Sequence, residues 1–149
     1  RPHVVIHNDF RFDNLVLDPA DPTRIVGVLD WELATVGDPL MDLGSALAYW
    51  VQADDDPAFL AGRLQPTHTP GMLTRAEVVQ RYAAARGLDV TPEQWLFYDV
   101  FGTFRLAGIA QQIYYRYHHG QTSNPAYARF GELVRILDAR CTALLALQS

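Results

Sequence analysis

Near its start the 149-residue chain reads His7-Asn8-Asp9-Phe10-Arg11-Phe12-Asp13-Asn14, the pattern H-x-D-x-x-x-x-N. Those residue types suit phosphoryl transfer, which asks little covalent chemistry of a protein. It needs a carboxylate to orient and deprotonate an acceptor hydroxyl, and oxygen ligands for a Mg²⁺ ion that bridges the phosphates. Asp9 offers the first and Asn14 the second. The same pattern arises by chance, so its weight depends on the elements around it.

Those elements supply a third group. Val4-Val5-Ile6 reads as a short buried strand. Asn14 to Leu17 and Ile25 to Leu29 read as two more, joined into a hairpin by the turn-rich Asp18-Pro19-Ala20-Asp21-Pro22. Asn14 opens the first strand of this hairpin and Asp30 directly follows the second. Antiparallel neighbours lie roughly 5 Å apart at Cα, so Asn14 and Asp30 are expected to share one metal ion although they are far apart in sequence.

From Pro39 onward the signals turn helical. Asp38 is an N-cap, Pro39 suits the first helical position, and Leu40, Leu43, Leu47 and Trp50 recur on one face, predicting a helix to about Gln52. The stretch from Asp54 to Gly71 reads as a loop with room for one helical turn. Thr74-Arg75-Ala76-Glu77 and Thr91-Pro92-Glu93-Gln94 are capping boxes that start the next two helices, the first closed by Gly87 and the second running to about His118. That second helix is apolar on several faces and is expected at the centre, buried by its neighbours. A final helix is predicted from Pro125 to about Leu147, with Phe130, Leu133, Leu137, Cys141 and Leu144 on one stripe. Strands first and helices after give an α+β, predominantly helical domain. One domain is expected over 1–149, with the catalytic loop and metal-binding hairpin in 1–37 and a helical substrate-binding part in 38–149.

Composition bounds the function. A hydrophobic content of 49% and 11% aromatic residues predict a real core. The net charge of −5 comes from scattered acidic residues, Asp54-Asp55-Asp56 apart, and gives no reason to expect nucleic acid. No apolar stretch approaches the ~20 residues of a membrane span, and there is no signal-like start. The one cysteine, Cys141, is expected in the core, and a reducing cytoplasm fits. All twelve basic residues are arginine.

Together His7 to Asn14, Val28-Leu29-Asp30-Trp31-Glu32 and Gly37-Asp38-Pro39-Leu40-Met41-Asp42-Leu43 resemble the aminoglycoside phosphotransferase family, whose fold is kinase-like. Asp-Phe-Arg-Phe-Asp-Asn is most similar to the kinase domains associated with acyl-CoA dehydrogenases. The resemblance covers about the first third of the chain. It implies the C-terminal lobe of a protein-kinase-like fold that transfers the γ-phosphoryl group of ATP to a hydroxyl of a small molecule. By position it implies Asp9 as catalytic base, His7 in the catalytic set as scaffold of the loop, and Asn14 and Asp30 as Mg²⁺ and nucleotide ligands. Glu32 is implied at the metal, and Asp42 as a brace for the catalytic loop.

Two departures matter. Arg11 stands where protein kinases often have lysine, and Asp30-Trp31-Glu32 replaces Asp-Phe-Gly with no Ala-Pro-Glu after it, which favours a small acceptor. A chain without lysine cannot contain the glycine-loop and strand-lysine clamp that holds ATP in such enzymes. The partner expected is therefore an N-terminal lobe of the same protein, and the 149 residues alone are expected not to turn over ATP.

Plainer readings stand beside these. Asp38 as an N-cap and Asp42 in a first helical turn need no catalytic role. Asp13 is a turn former or a partner for Arg11. His118-His119 lacks the spacing of a zinc site, and Arg105 or Arg116 would serve an anionic acceptor or a solvated face. Two other classes stay open: a non-catalytic helical binding module, and a metal-dependent phosphoesterase, for which ligands are too few.

Overall fold

A computed structural model describes residues 3–146. Arg1, Pro2 and the predicted end of the last helix at Leu147 lie outside the described residues. Two small antiparallel sheets come first. Strand β1 (Val4–Ile6) pairs with β4 (Thr35–Gly37), and β2 (Leu15–Leu17) pairs with β3 (Ile25–Val28). The predicted hairpin is therefore present, its turn closed by Asp18, which accepts from Ala20 N–H at 2.9 Å and holds Arg24 at 3.2 Å. Strand β4 has no counterpart in the sequence reading. Strand β1 is less buried than expected: Ile6 is buried while Val5 is 67% exposed.

Five α-helices follow: α1 (Pro39–Leu47), α2 (Pro57–Ala61), α3 (Arg75–Arg86), α4 (Pro92–His118) and α5 (Phe130–Ala146). The caps fall where the residue types put them. Asp38 accepts from Leu40 N–H, both capping boxes are complete, and Gly87 closes α3 at φ 60°. Helix α1 ends five residues before the predicted Gln52 because side chains take over its amides. Val51 N–H donates to Thr67 Oγ1 at 2.8 Å and Gln52 N–H to Asp55 Oδ2 at 2.6 Å. The last element opens as a 3₁₀ turn (Pro125–Arg129) before α5 begins.

Two apolar clusters make the core. Leu40, Leu43 and Leu47 of α1 meet Val79 of α3, with Trp95 and Tyr98 packed alongside. Ala48, Tyr49 and Val51, past the end of α1, meet Phe59, Leu106 and Leu137. Helix α4 crosses both α1 and α5, but its buried strip is narrow and made largely of small residues: Gly102, Thr103, Leu106 and Ala110. Phe97 and Phe104 are exposed, so α4 is central without being buried all round. Where α1 and α4 cross, the backbones touch: a Cβ on Gly102 would come within 2.1 Å of the Gly44 carbonyl oxygen.

Candidate active site

The loop after β1 is built by hydrogen bonds from distant side chains. Asp42, in the first turn of α1, accepts from His7 N–H through Oδ2 and from Asn8 N–H through Oδ1, both at 2.8 Å. Two backbone amides are satisfied by one carboxylate on a rigid helix, which is what a brace requires. Asn8 adopts a left-handed conformation at φ 65°, and its side-chain amide donates to Leu33 O at 3.0 Å. Farther along, Phe12 N–H donates to Oε1 of the buried Gln65 at 2.9 Å. Nothing in the sequence singled out Gln65, because its partner lies 53 positions away and its own segment reads as loop.

His7 is buried and both ring nitrogens are engaged. Nδ1 accepts from Asp9 N–H at 3.2 Å, so Nε2 carries the proton and donates to Leu29 O at 2.8 Å. The ring also packs on Trp31, with centroids 4.6 Å apart. His7 thus ties the loop after β1 to the end of the β2–β3 hairpin, with both ring nitrogens engaged.

Asp9 presents its two oxygens differently. Oδ2 accepts from Asn14 Nδ2 at 3.1 Å and lies 3.9 Å from Arg11 Nε. Among the described residues Oδ1 has no hydrogen-bond partner, and the side chain is 18% exposed. Asn14 is buried and gives its Nδ2 also to Asp9 O at 2.8 Å, which turns Oδ1 away as the remaining ligand atom.

The hairpin brings Asp30 to the end of the ladder beside Asn14, directly after its second strand. Leu15 faces Val28, and Leu29 N–H donates to Asn14 O at 2.8 Å, so Asn14 lies opposite Leu29 with Asp30 the next residue on. Asp30 is exposed and left-handed at φ 64°, a conformation that turns the chain into the 3₁₀ turn Trp31–Leu33. Glu32 sits on that turn, exposed. No three His, Cys, Asp or Glu among the described residues cluster as a metal site. An amide and a carboxylate oxygen nevertheless fit Mg²⁺, which is held by one or two carboxylates and completed by phosphates and water.

Around the loop, Tyr49 is buried with its ring under the Arg11 guanidinium, 5.3 Å from carbon to centroid. Burial first, and then the Asp9 charge, raise its phenol above the ordinary range, against the lowering pull of Arg11 and Arg105. A separate charged node joins the helices: Arg75 donates to both oxygens of Asp55, with Arg140 3.7 Å away. Two grooves of about 530 and 280 Å³ run between α2 and α5, away from the loop.

The model of the phosphotransferase enzyme family matches residues 1–92. The chain is 34% identical over 133 residues to human acyl-CoA dehydrogenase family member 11, covering 89% of this chain and 17% of that protein. It is 36% identical over 130 residues to mouse acyl-CoA dehydrogenase family member 10, covering 87% of this chain and 12% of that protein. The chain thus spans less than a fifth of these relatives. Among solved structures, a "putative aminoglycoside phosphotransferase" from Ralstonia eutropha JMP134 superposes with a TM-score of 0.77 at 30% identity. It covers 95% of this chain, which corresponds to 42% of that one. Fold and helical character are those of a kinase-like C-terminal lobe. With the family model matched over more than half of its length, the chain belongs to the phosphotransferase enzyme family, of the aminoglycoside phosphotransferase, kinase-like kind.

Proposed function

We propose that this chain is the catalytic lobe of an enzyme that moves the γ-phosphoryl group of ATP to a hydroxyl on a small molecule. The observation that carries this reading is the state of Asp9. One carboxylate oxygen is held by Asn14, and the other is unbonded at the surface of a loop fixed by Asp42, His7 and Gln65. That is the arrangement a general base needs: an oriented carboxylate with one lone pair left for the proton of an acceptor hydroxyl.

Asn14 Oδ1 and the Asp30 carboxylate would hold Mg²⁺, with Glu32 close by on the next turn. Bound there with ATP, the ion would neutralise charge on the phosphates. Asn14 has a double task, since the amide group that orients Asp9 belongs to the same side chain whose oxygen would bind the metal. His7 keeps the loop and the hairpin in register, and so keeps base and metal ligands at a fixed separation.

The nucleotide clamp is assigned to another lobe of the same polypeptide. Lysine is absent from the 149 residues, and Val16, Leu17, Ile25, Val26 and Leu29 expose an apolar surface on the hairpin, of the kind that marks an interface. Asp30-Trp31-Glu32 in place of a protein-kinase motif supports a small acceptor, and the buried Cys141 thiol is at home in a reducing cytoplasm.

The test uses the polypeptide with both lobes. Asp9→Ala is expected to lower kcat by roughly 10²–10⁴-fold with little change in ATP affinity, while Asp30→Ala weakens Mg²⁺–ATP binding. Equal and mild effects from both would remove the assignment. The 149-residue chain alone is expected to show no Mg²⁺-dependent ATP turnover. A non-catalytic binding module would instead leave the two-lobed protein without turnover whatever stood at position 9.

A further inference from the structure

The 3₁₀ turn Phe12–Asn14 ends on the candidate metal ligand and starts without a cap of its own. Within it, Arg11 O accepts from Asn14 N–H at 3.0 Å and Phe12 O accepts from Leu15 N–H. The amides that open a helical turn find no partner inside it, and a local cap needs a side-chain oxygen. Arg11, extended at φ −156° in the capping position, has only donors to offer. The missing acceptor is Gln65, whose Oε1 takes the Phe12 N–H at 2.9 Å across 53 positions of sequence.

Gln65 is seated firmly enough to serve. It is 5% exposed, and two residues further on Thr67 Oγ1 accepts from Val51 N–H at 2.8 Å and donates to Val51 O at 2.9 Å. Trp50 Nε1 donates to Leu73 O at 2.8 Å, and the Phe12 ring meets Trp50 edge-on with centroids 5.7 Å apart. The segment between α2 and α3 is thus fastened beside the turn that it caps. An N–H must face an oxygen, so the bond also settles which way round the Gln65 amide lies.

We propose that Gln65 is a positioning residue for the metal, which caps the turn from the helical body and so sets where Asn14 Oδ1 stands; this rests on the phosphotransferase reading above. Asn14 Nδ2 is spent on Asp9 O and Asp9 Oδ2, so the whole side chain moves as the turn moves. Without the cap the Phe12 amide turns to water, the turn loosens, and Oδ1 is no longer held toward the ion. A metal ligand set by an outer partner loses affinity when that partner is removed. The helical body would then fix the metal ligand as well as the loop, through one amide oxygen.

The experiment again uses the two-lobed polypeptide, with ADP present, and reads Mn²⁺ binding by electron paramagnetic resonance, since Mn²⁺ takes the same oxygen ligands as Mg²⁺. Gln65→Met keeps the length of the side chain and leaves only a weak sulfur acceptor. It is expected to weaken Mn²⁺ binding roughly tenfold, the lower end for an outer partner of a metal ligand. Gln65→Asn, which withdraws the amide by one carbon, is expected to do the same and carries the test if the methionine variant does not fold. Thr67→Val measures mere loosening, because it unties the same segment from Val51 and leaves the cap in place. Its Mn²⁺ affinity should stay within about threefold of the unaltered protein, since the two sites share no partner. Unchanged Mn²⁺ affinity in a folded Gln65 variant would overturn the proposal. An equal loss in Thr67→Val would overturn it too, marking a general structural role for the segment. If the unaltered protein binds no Mn²⁺ with ADP, the phosphotransferase reading itself has failed, a result separable from the others because it appears before any substitution is made.

Discussion

Residues 3–37 and the helices after them are held in opposite ways. In the helical body an apolar core turns inward, with Leu40 and Leu137 fully buried, and capping residues close the helix ends. In residues 3–37 many apolar residues face out, with Val5, Ile25, Leu29, Trp31 and Val36 all more than half exposed. What orders the segment is polar: Asp42, His7 and Gln65 each satisfy or offer groups that lie far off in sequence, and Asn14 holds Asp9 within the loop. Apolar burial supplies stability without exact direction. A set of hydrogen bonds adds modest net stability, but it fixes direction closely. Activity and stability should therefore respond to different substitutions.

The hardest test of that division is the charged node inside the body. Asp55→Ala removes the carboxylate that Arg75 and Arg140 share, and is expected to cost about 3–5 kcal/mol at neutral pH, read by denaturant unfolding. Burial alone would raise the Asp55 carboxyl, but the hydrogen bonds from Arg75 and the Gln52 amide, with the charges of Arg75 and Arg140, bring it below its ordinary value. Its contribution is therefore complete above the usual carboxylate range and is lost as pH falls through the lowered value. The gap between wild type and variant should close in acid. A gap that persists there would assign the loss to packing.

Next in size is Gly102→Ala at the α1–α4 crossing, where the added carbon meets the Gly44 backbone rather than a yielding side chain. A loss of about 3 kcal/mol is expected, at the upper end for overpacking, with activity falling only as the folded fraction falls. Asp42→Asn sharpens the contrast from the other side. The amide can accept from only one of the two loop N–H groups, so stability drops by about 2 kcal/mol while kcat falls well beyond what the folded fraction explains. If activity per folded molecule holds, the loop is not positioned by Asp42. The smallest effect is Asp99→Asn. Burial raises the Asp99 carboxyl despite Arg140 and Arg75 nearby. Its ionised form is thus a cost that is fully present above the raised value and disappears as pH falls through it. The amide should be neutral or stabilising by up to about 1 kcal/mol near neutral pH, with no gain in acid.

The same contrast explains what could be read in advance. Helix starts are local chemistry, so Asp38, Thr74 and Thr91 announced themselves, as did the hairpin turn at Asp18. The brace from Asp42 is what the family resemblance implies, and of the two readings open for Asp13 the structure shows it 3.8 Å from Arg11 Nε. What stayed hidden were partnerships between distant segments. Strand β4 is three residues against β1, too short for any pattern, and its Gly37 reads equally well as the approach to a helix. The path of the chain past α1 depends on Thr67, sixteen positions from the Val51 amide it accepts from. Gln65 and the Asp55–Arg75 pair likewise join residues whose own surroundings read as loop or helix start. Asn14 opens the hairpin and Asp30 directly follows its second strand, as the spacing predicts, because Leu29 closes the ladder opposite Asn14.

Asn8 and Asp30 are the non-glycine residues with positive φ among those described. One immediately precedes the candidate base and the other is a candidate metal ligand. For anyone building a substitution library on this scaffold, position 8 has a short usable alphabet: asparagine, aspartate or glycine, with glycine giving up the bond to Leu33. At position 30 asparagine and glycine preserve the bend and discard the charge. β-branched residues at either place would reverse the backbone before any chemistry could be assayed.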